Sequence, residues 1–407
     1  MRIYFALAVA LCVLSLPHNF VDAQTKSFKR GIVKLSPQAQ AIHREALLID
    51  GHNDLPFQYR WKSDFSFRTF DIAKPQPLLH TDIERLRKGG VGAQFWSAYV
   101  DAGSKHAVKE TLEQIDVIHR LVKAYPDSFE MAYTSADILR IRRAGRIASL
   151  IGVEGGHSID NSLGVLRTLH SLGARYMTLT HTDTLDWADS ATDVAKHRGL
   201  TVFGESVVLE MNRLGMLVDI SHVSAETMHH ALKISKAPVI ASHSSAFALA
   251  AHPRNVPDDV LKEVAKNGGV VMVNFYSGFI TQEGARLLPE MMKTYRELKK
   301  RYPKSEEFKT AYTAWKKEHP MPTGSIHDVV DHIEHIAKVA GIDHVGIGSD
   351  FDGISTVPRQ LEDVASYPLI TQELLNRGHA REAIHKILGG NALRVMQQAE
   401  AVARKWK

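Results

Sequence analysis

Apolar and polar residues alternate along this chain in two distinct rhythms. Eight short runs of apolar, often β-branched residues, each closed by Gly, Asp, Ser or His, read as strands: 46–54, 91–100, 147–155, 174–181, 216–222, 238–244, 270–276 and 344–352. Between them, segments such as 111–124, 207–214, 225–234, 258–265 and 329–340 place apolar residues at the three-to-four spacing of an amphipathic helix. Strand then helix, repeated about eight times, predicts an α/β chain folded as a (β/α)8 TIM-type barrel. A doubly wound open sheet alternates in the same way, so the polar residues must decide. They gather at the carboxyl ends of the runs: His52 and Asp54, Glu154, His181, His222, His243, Asp350. Barrels assemble their sites on that face, from several strand ends.

The connection 281–323 is longer than the others and has a helical pattern of its own, which predicts a helical insertion after the seventh strand. No Gly/Ser linker, low-complexity tract or short-period repeat divides the chain, so residues 24–407 read as a single domain. Residues 1–23 combine Arg2, an apolar run over 3–16, Pro17 and a small Ala23 before Gln24, the pattern of a secretory signal peptide. The run falls short of the ~20 residues a membrane-spanning helix needs, and no second such run follows. The expectation is an exported protein, periplasmic or secreted, with no stable membrane span in its mature form. Cys12, the one cysteine, lies within this leader, which excludes disulfides, thiol nucleophiles and cysteine-bound zinc from the remainder.

Composition changes the picture little. Of 407 residues, 44% are hydrophobic and 23% charged, enough apolar side chain for a sizeable core. The net charge of +5 gathers partly over 293–317, where Lys and Arg alternate with acids as on a solvated helix face. No nucleic-acid partner is expected.

The chemistry lies in the strand ends. His52 and Asp54 stand two apart, and such residues project from one face of a strand. An HxD triplet alone carries little weight in a chain with 22 histidines. Glu154 follows an apolar run and precedes Gly155-Gly156, where a buried carboxylate is costly unless paired or metal-bound; His157 nearby suits a supporting role. Ser221-His222-Val223-Ser224 and Ser242-His243-Ser244-Ser245 each add a histidine at the next strand ends. Imidazole and carboxylate are the ligands zinc takes when thiolate is absent, and the joint arrangement suits a two-metal hydrolase. Asp350, in Gly348-Ser349-Asp350-Phe351-Asp352-Gly353, suits proton transfer, with Asp352 capping the turn. Arg254 suits a bidentate clamp on a carboxylate. A solute-binding protein would instead need two lobes and a hinge.

These segments together resemble the membrane dipeptidases, also called renal dipeptidases, zinc-dependent barrel hydrolases of the amidohydrolase group. The matching stretches are Asp50 to Pro56, Gly152 to Ser158, Leu179-Thr180-His181, Asp219 to Ser224, Ser242 to Ala246, Arg254 to Asp259, Gly348 to Gly353 and Gly389-Gly390-Asn391. The resemblance implies two Zn2+ per chain, one bound by His52, Asp54 and Glu154, the other by Glu154, His222 and His243, with Glu154 and a hydroxide as bridges. It implies that His181 contacts the substrate, Arg254 holds its terminal carboxylate and Asp350 shuttles the proton. The expected substrate is a dipeptide, often with a D-residue at its carboxyl side; N-acyl amino acids or lactones are the alternative within related two-metal amidohydrolases. Animal members carry disulfides and a lipid anchor. This chain has neither the cysteines nor a suitable tail, so covalent dimerisation does not transfer, while a homodimer stays compatible.

Overall fold

Among the described residues nine strands, all paired in parallel, form one sheet: β1 (Leu48–Asn53), β2 (Val91–Tyr99), β3 (Phe129–Met131), β4 (Ile147–Glu154), β5 (Ala174–Thr178), β6 (Leu217–Asp219), β7 (Ile240–Ala241), β8 (Val270–Val273) and β9 (Val345–Ile347). Eight of them close a barrel in the order β1-β2-β4-β5-β6-β7-β8-β9, with β9 returning to β1. The β2–β4 seam is the longest, in register from Ala93↔Ala148 to Tyr99↔Glu154. Closure excludes the open sheet and establishes the (β/α)8 barrel. This computed structural model describes residues 30–303 and 305–406, so the leader expected at 1–23 lies outside the described residues.

Period-two alternation explains the core. Along β8, Val271 and Val273 pack outward with the helices, while Val270 and Met272 join Ile49, Phe95, Leu150, Tyr176, Leu217 and Ile240 inside the barrel. The eight sequence-predicted runs contain the eight barrel strands. β3 is additional: it pairs with Ile147–Ser149 of β4, on the edge that β5 takes up from Ile151 onward. Three residues are too few to show any alternation, so nothing in the sequence marks it.

The strands stop earlier than their apolar runs, and the reason bears on the site. The run 238–244 keeps only Ile240–Ala241 in the sheet. Ser242 then turns its N–H onto the Asp219 carboxylate at 2.9 Å in place of a ladder partner. Side-chain acceptors thus peel the carboxyl ends out of the sheet and aim them at the barrel mouth. Helices follow at once: Ser224 caps Ala225–Ile234, its hydroxyl accepting the Thr227 N–H at 3.2 Å.

Between β8 and β9 run Ser277–Ile280, Gln282–Arg301, Ser305–Glu318 and then Ile326–Ala340. The first of these helices carries Phe279 beside the mouth, and Gln282–Arg301 extends from it. Among the described residues no helix is long and apolar enough to cross a membrane.

Candidate metal centre

Glu154, the last residue of β4, is buried at the centre of the mouth. Its two carboxylate oxygens face different partners. Oε2 lies 3.3 Å from His52 Nε2, while Oε1 lies 3.1 Å from His222 Nε2, 3.5 Å from His243 Nε2 and 3.6 Å from His181 Nε2. His52 Nε2 is also 3.2 Å from Asp54 Oδ2. Donor atoms therefore gather in three overlapping groups: His52/Glu154/His243, Glu154/His181/His222 and His52/Asp54/Asp350.

The polypeptide strains to bring them there. His222 and Asp350 both hold left-handed backbone, at φ 67° and 65°, which residues with a Cβ seldom adopt. Asp54 has left the strand and opens the helix Leu55–Ser63, its N–H tied to the Phe351 carbonyl at 2.9 Å. Its carboxylate is nevertheless turned toward His52. Gly353 is required by close approach, since a Cβ there would overlap Asp54 Oδ2 and stand 2.7 Å from Asp350 Oδ1. Gly155, at φ 104°, turns the chain directly after Glu154.

Hydrogen bonds from behind fix which ring nitrogen faces the centre. The Tyr176 hydroxyl donates to the Gly51 carbonyl at 3.2 Å, so its oxygen accepts from His52 Nδ1 at 2.7 Å. Ser242 Oγ donates to Asp219 Oδ2 at 2.6 Å and accepts from His243 Nδ1 at 2.7 Å. Both networks place the proton on Nδ1 and leave the Nε2 lone pair aimed inward, as a metal-ligating histidine requires. Ser97 Oγ donates to Glu154 Oε2 at 3.0 Å.

The donor set fits cations. His52 Nε2 and Asp54 Oδ1 are buried and form no properly directed hydrogen bond, and His222 Nε2 faces His243 Nε2 at only 2.8 Å. Converging lone pairs and carboxylates in a buried site are costly without positive charge between them. Burial, with the His52 charge on His243 and the Arg254 charge on His222, pushes these two imidazoles well below the ordinary range, the condition for a neutral ligand. At His52 burial is overcome by Tyr176, Glu154 and Asp54, which hold the ring well above that range, the same pull a cation there would feel. Burial disfavours the Glu154 carboxylate, yet His52, His222 and His181 hold it well below its ordinary range.

The centre opens into a cavity of about 880 Å³, whose wall includes Asp54, Tyr99, His181, Arg254 and Asp350. Arg254 is 2% exposed, and burial pulls it down to about 10. Its Nη1 and Nη2 donate to Ser244 Oγ and the His243 carbonyl, both at 3.2 Å, while its Nε has no partner. Among the described residues it has no carboxylate within 4 Å. A guanidinium buried in that way is poised for an anion from outside.

The profile of the membrane dipeptidase family, peptidase family M19, matches residues 36–407. This chain belongs to that family. As a family member it is a metallopeptidase that hydrolyses peptide bonds. Its fold is similar to that of the probable dipeptidase PvdM from Pseudomonas aeruginosa, with 23% identity and a TM-score of 0.77 over 90% of this chain and 98% of that one. A metallo peptidase from Rhodobacter sphaeroides, liganded with a phosphinate mimic of the dipeptide L-Ala-D-Ala, aligns at 22% identity and a TM-score of 0.73 over 87% and 99%. An amidohydrolase from Pseudomonas aeruginosa aligns at 23% identity and a TM-score of 0.69 over 89% and 98%.

The structure brings every site residue singled out in the sequence to this one mouth. His181 and Asp350, expected at the substrate, lie within ligand range of the same cluster. His157 stands behind it, its Nε2 bonded to the Val100 carbonyl at 3.1 Å. Sequence reasoning missed the residues that orient the others. Asn274 donates to Asp350 Oδ2 at 2.8 Å, and Tyr176, Ser242 and Asp219 steady the imidazoles. A polar residue within or just after a buried apolar run is their shared signal. Which partner each finds depends on neighbouring strands.

Proposed function

We propose that this metallo-dipeptidase works with two zinc ions, one held by His52, Asp54 and Glu154 and the other by Glu154, His222 and His243. The observation that carries the proposal is the split of Glu154, with one oxygen toward His52 and the other toward His222 and His243. When bound, such a pair of cations acidifies the attacking water and polarises the peptide carbonyl.

The chain's own residues do the rest. Arg254 takes the carboxylate of the dipeptide, the anion its buried guanidinium lacks. His181 is held by burial below the ordinary imidazole range and stays neutral, so its ring can donate to the carbonyl oxygen as negative charge develops there. Burial, reinforced by Asp54 and Glu154 and opposed by His52, pushes Asp350 well above the usual carboxylate range. A carboxyl with that bias can take the proton given up by the attacking water and pass it to the leaving amine, while Asn274 keeps the group in place.

The test joins metal analysis to a substrate panel containing L-Ala-D-Ala, L-Ala-L-Ala and an N-acyl amino acid. We expect about two zinc ions per chain, dipeptide hydrolysis, and its loss on chelation. Activity that survives thorough chelation removes the metal reading. Asp350→Asn should keep its zinc and lose about a hundredfold or more in turnover. If the zinc is lost with the activity, Asp350 is a ligand.

A further inference from the structure

The helix Gln282–Arg301 does more than decorate the barrel, because it supplies one wall of the cavity. Leu288, Met291 and Met292 line the same space as Arg254 and Glu154. Together with Pro289 they form an apolar stretch of this wall beside the anion clamp, and Lys293, Arg296 and Glu297 of the same helix line the cavity next to it. The Arg254 guanidinium lies 5.3 Å from the centroid of the Phe279 ring. Phe279 meets Tyr276 edge to face at 5.0 Å, and Leu288 packs with this pair while Met291 and Ile354 cover it. Met292 remains 37% exposed beside the cavity.

Geometry selects what this wall faces. In a dipeptide whose carboxylate sits on Arg254, the adjacent Cα belongs to the carboxyl-terminal residue. Its side chain is therefore the first substrate group to reach Phe279, Leu288 and Met291. The amino-terminal residue lies beyond the scissile bond, toward the centre and the opposite wall of Phe57 and Tyr99, whose rings meet at 4.9 Å. A cavity of about 880 Å³ is also in the range that holds drug-sized ligands, more room than two alanines fill.

We infer that the helix Gln282–Arg301 sets specificity, and that Leu288 and Met291 make the enzyme prefer dipeptides with a large apolar side chain at the carboxyl-terminal position. The inference rests on the dipeptidase reading and on Arg254 as carboxylate clamp. Methionine suits such a wall, since its unbranched thioether adapts to differently shaped side chains.

The test is a kcat/KM series on the zinc-loaded full chain. One arm varies the carboxyl-terminal residue in Ala-Ala, Ala-Leu and Ala-Phe with both chiralities at that position. The other varies the amino-terminal residue in Leu-Ala and Phe-Ala. The wild type should favour Ala-Leu or Ala-Phe over Ala-Ala by roughly tenfold or more in at least one chirality, since each buried methylene discriminates at about that level. Met291→Ala and Leu288→Ala should each shrink that ratio to about threefold or less, with metal content unaltered, while the ratios in the amino-terminal arm stay within about twofold of the wild type. Because Leu288 is buried, Met291→Gln, on the partly exposed neighbour, serves as a second variant that should lower the same ratio. Hydrolysis of Ala-Ala with no carboxyl-terminal preference overturns this inference and leaves the dipeptidase reading standing. So does a preference that persists in all three variants. Failure of every dipeptide to react overturns both.

Discussion

Two of the imidazoles proposed to face the metals, His52 and His243, depend on residues that face away from the centre, Tyr176 and Ser242. His243 is held by Ser242, and Ser242 by Asp219, which also accepts from Thr178 Oγ1 at 2.6 Å and from the Ser221 and Ser242 N–H groups. Removing the Ser242 hydroxyl frees the ring and its tautomer while leaving all proposed ligands in place. Ser242→Ala should therefore weaken zinc binding by roughly 10- to 100-fold, read by competition with a chromophoric chelator. Wild-type affinity in that variant would mean that packing alone orients His243. The residues proposed as ligands were legible as a group in the sequence because a polar residue at the end of an apolar run is conspicuous. Their supports were not, because Tyr176 meets His52 across 124 positions and Asn274 meets Asp350 across 76. Only the closed barrel brings those pairs together.

At the scale of elements, helices were more legible than strands. The helical segment at 225–234 appears as Ala225–Ile234, whereas the run at 344–352 keeps only Val345–Ile347 in the sheet. Apolar periodicity marks what is buried, and the strand-end residues are buried without being paired. Contacts between helices are a different matter, because charged residues make some of them. Arg377 follows the helix Tyr367–Asn376 and joins it to Ile326–Ala340, with Nη1 at 2.6 Å from Asp331 and 2.7 Å from Glu334, and Nε at 2.8 Å from Glu373. Glu373 is fully buried and also meets His327 Nδ1 at 2.7 Å. Removing the guanidinium leaves this buried carboxylate with His327 and Asn376 alone, so Arg377→Ala should cost about 3 kcal/mol in chemical unfolding. A loss below about 1 kcal/mol would place this network with ordinary surface ion pairs.

For the whole molecule, pH acts through groups that hold the ring of helices to the mouth. His332, on Ile326–Ala340, is fully buried and joins the loop after β7 to the short helix Ser277–Ile280: its Nδ1 accepts the Ala246 N–H at 2.9 Å, and its Nε2 donates to the Ile280 carbonyl at 3.2 Å. Neutral imidazole satisfies both bonds, and protonation would turn the accepting nitrogen into a donor facing another donor. Burial accordingly lowers its pKa from 6.5 to about 4, against the modest upward pull of the Ile280 carbonyl. Below pH 6.5 the unfolded chain takes up this proton and the folded chain does not, so the stabilisation is complete above 6.5 and is lost as pH falls to about 4. The full effect is on the order of 3 kcal/mol. Protonation of the proposed metal ligands also weakens the protein in acid, but that contribution is common to wild type and variant and cancels in their difference. His332→Gln can keep both hydrogen bonds and does not titrate. Denaturant unfolding at pH 7 and pH 4.5 should therefore show the wild type losing about 2 kcal/mol more than His332→Gln over that interval. Equal losses would mean that His332 is already protonated in the fold, and that the Ala246 N–H finds another acceptor in acid.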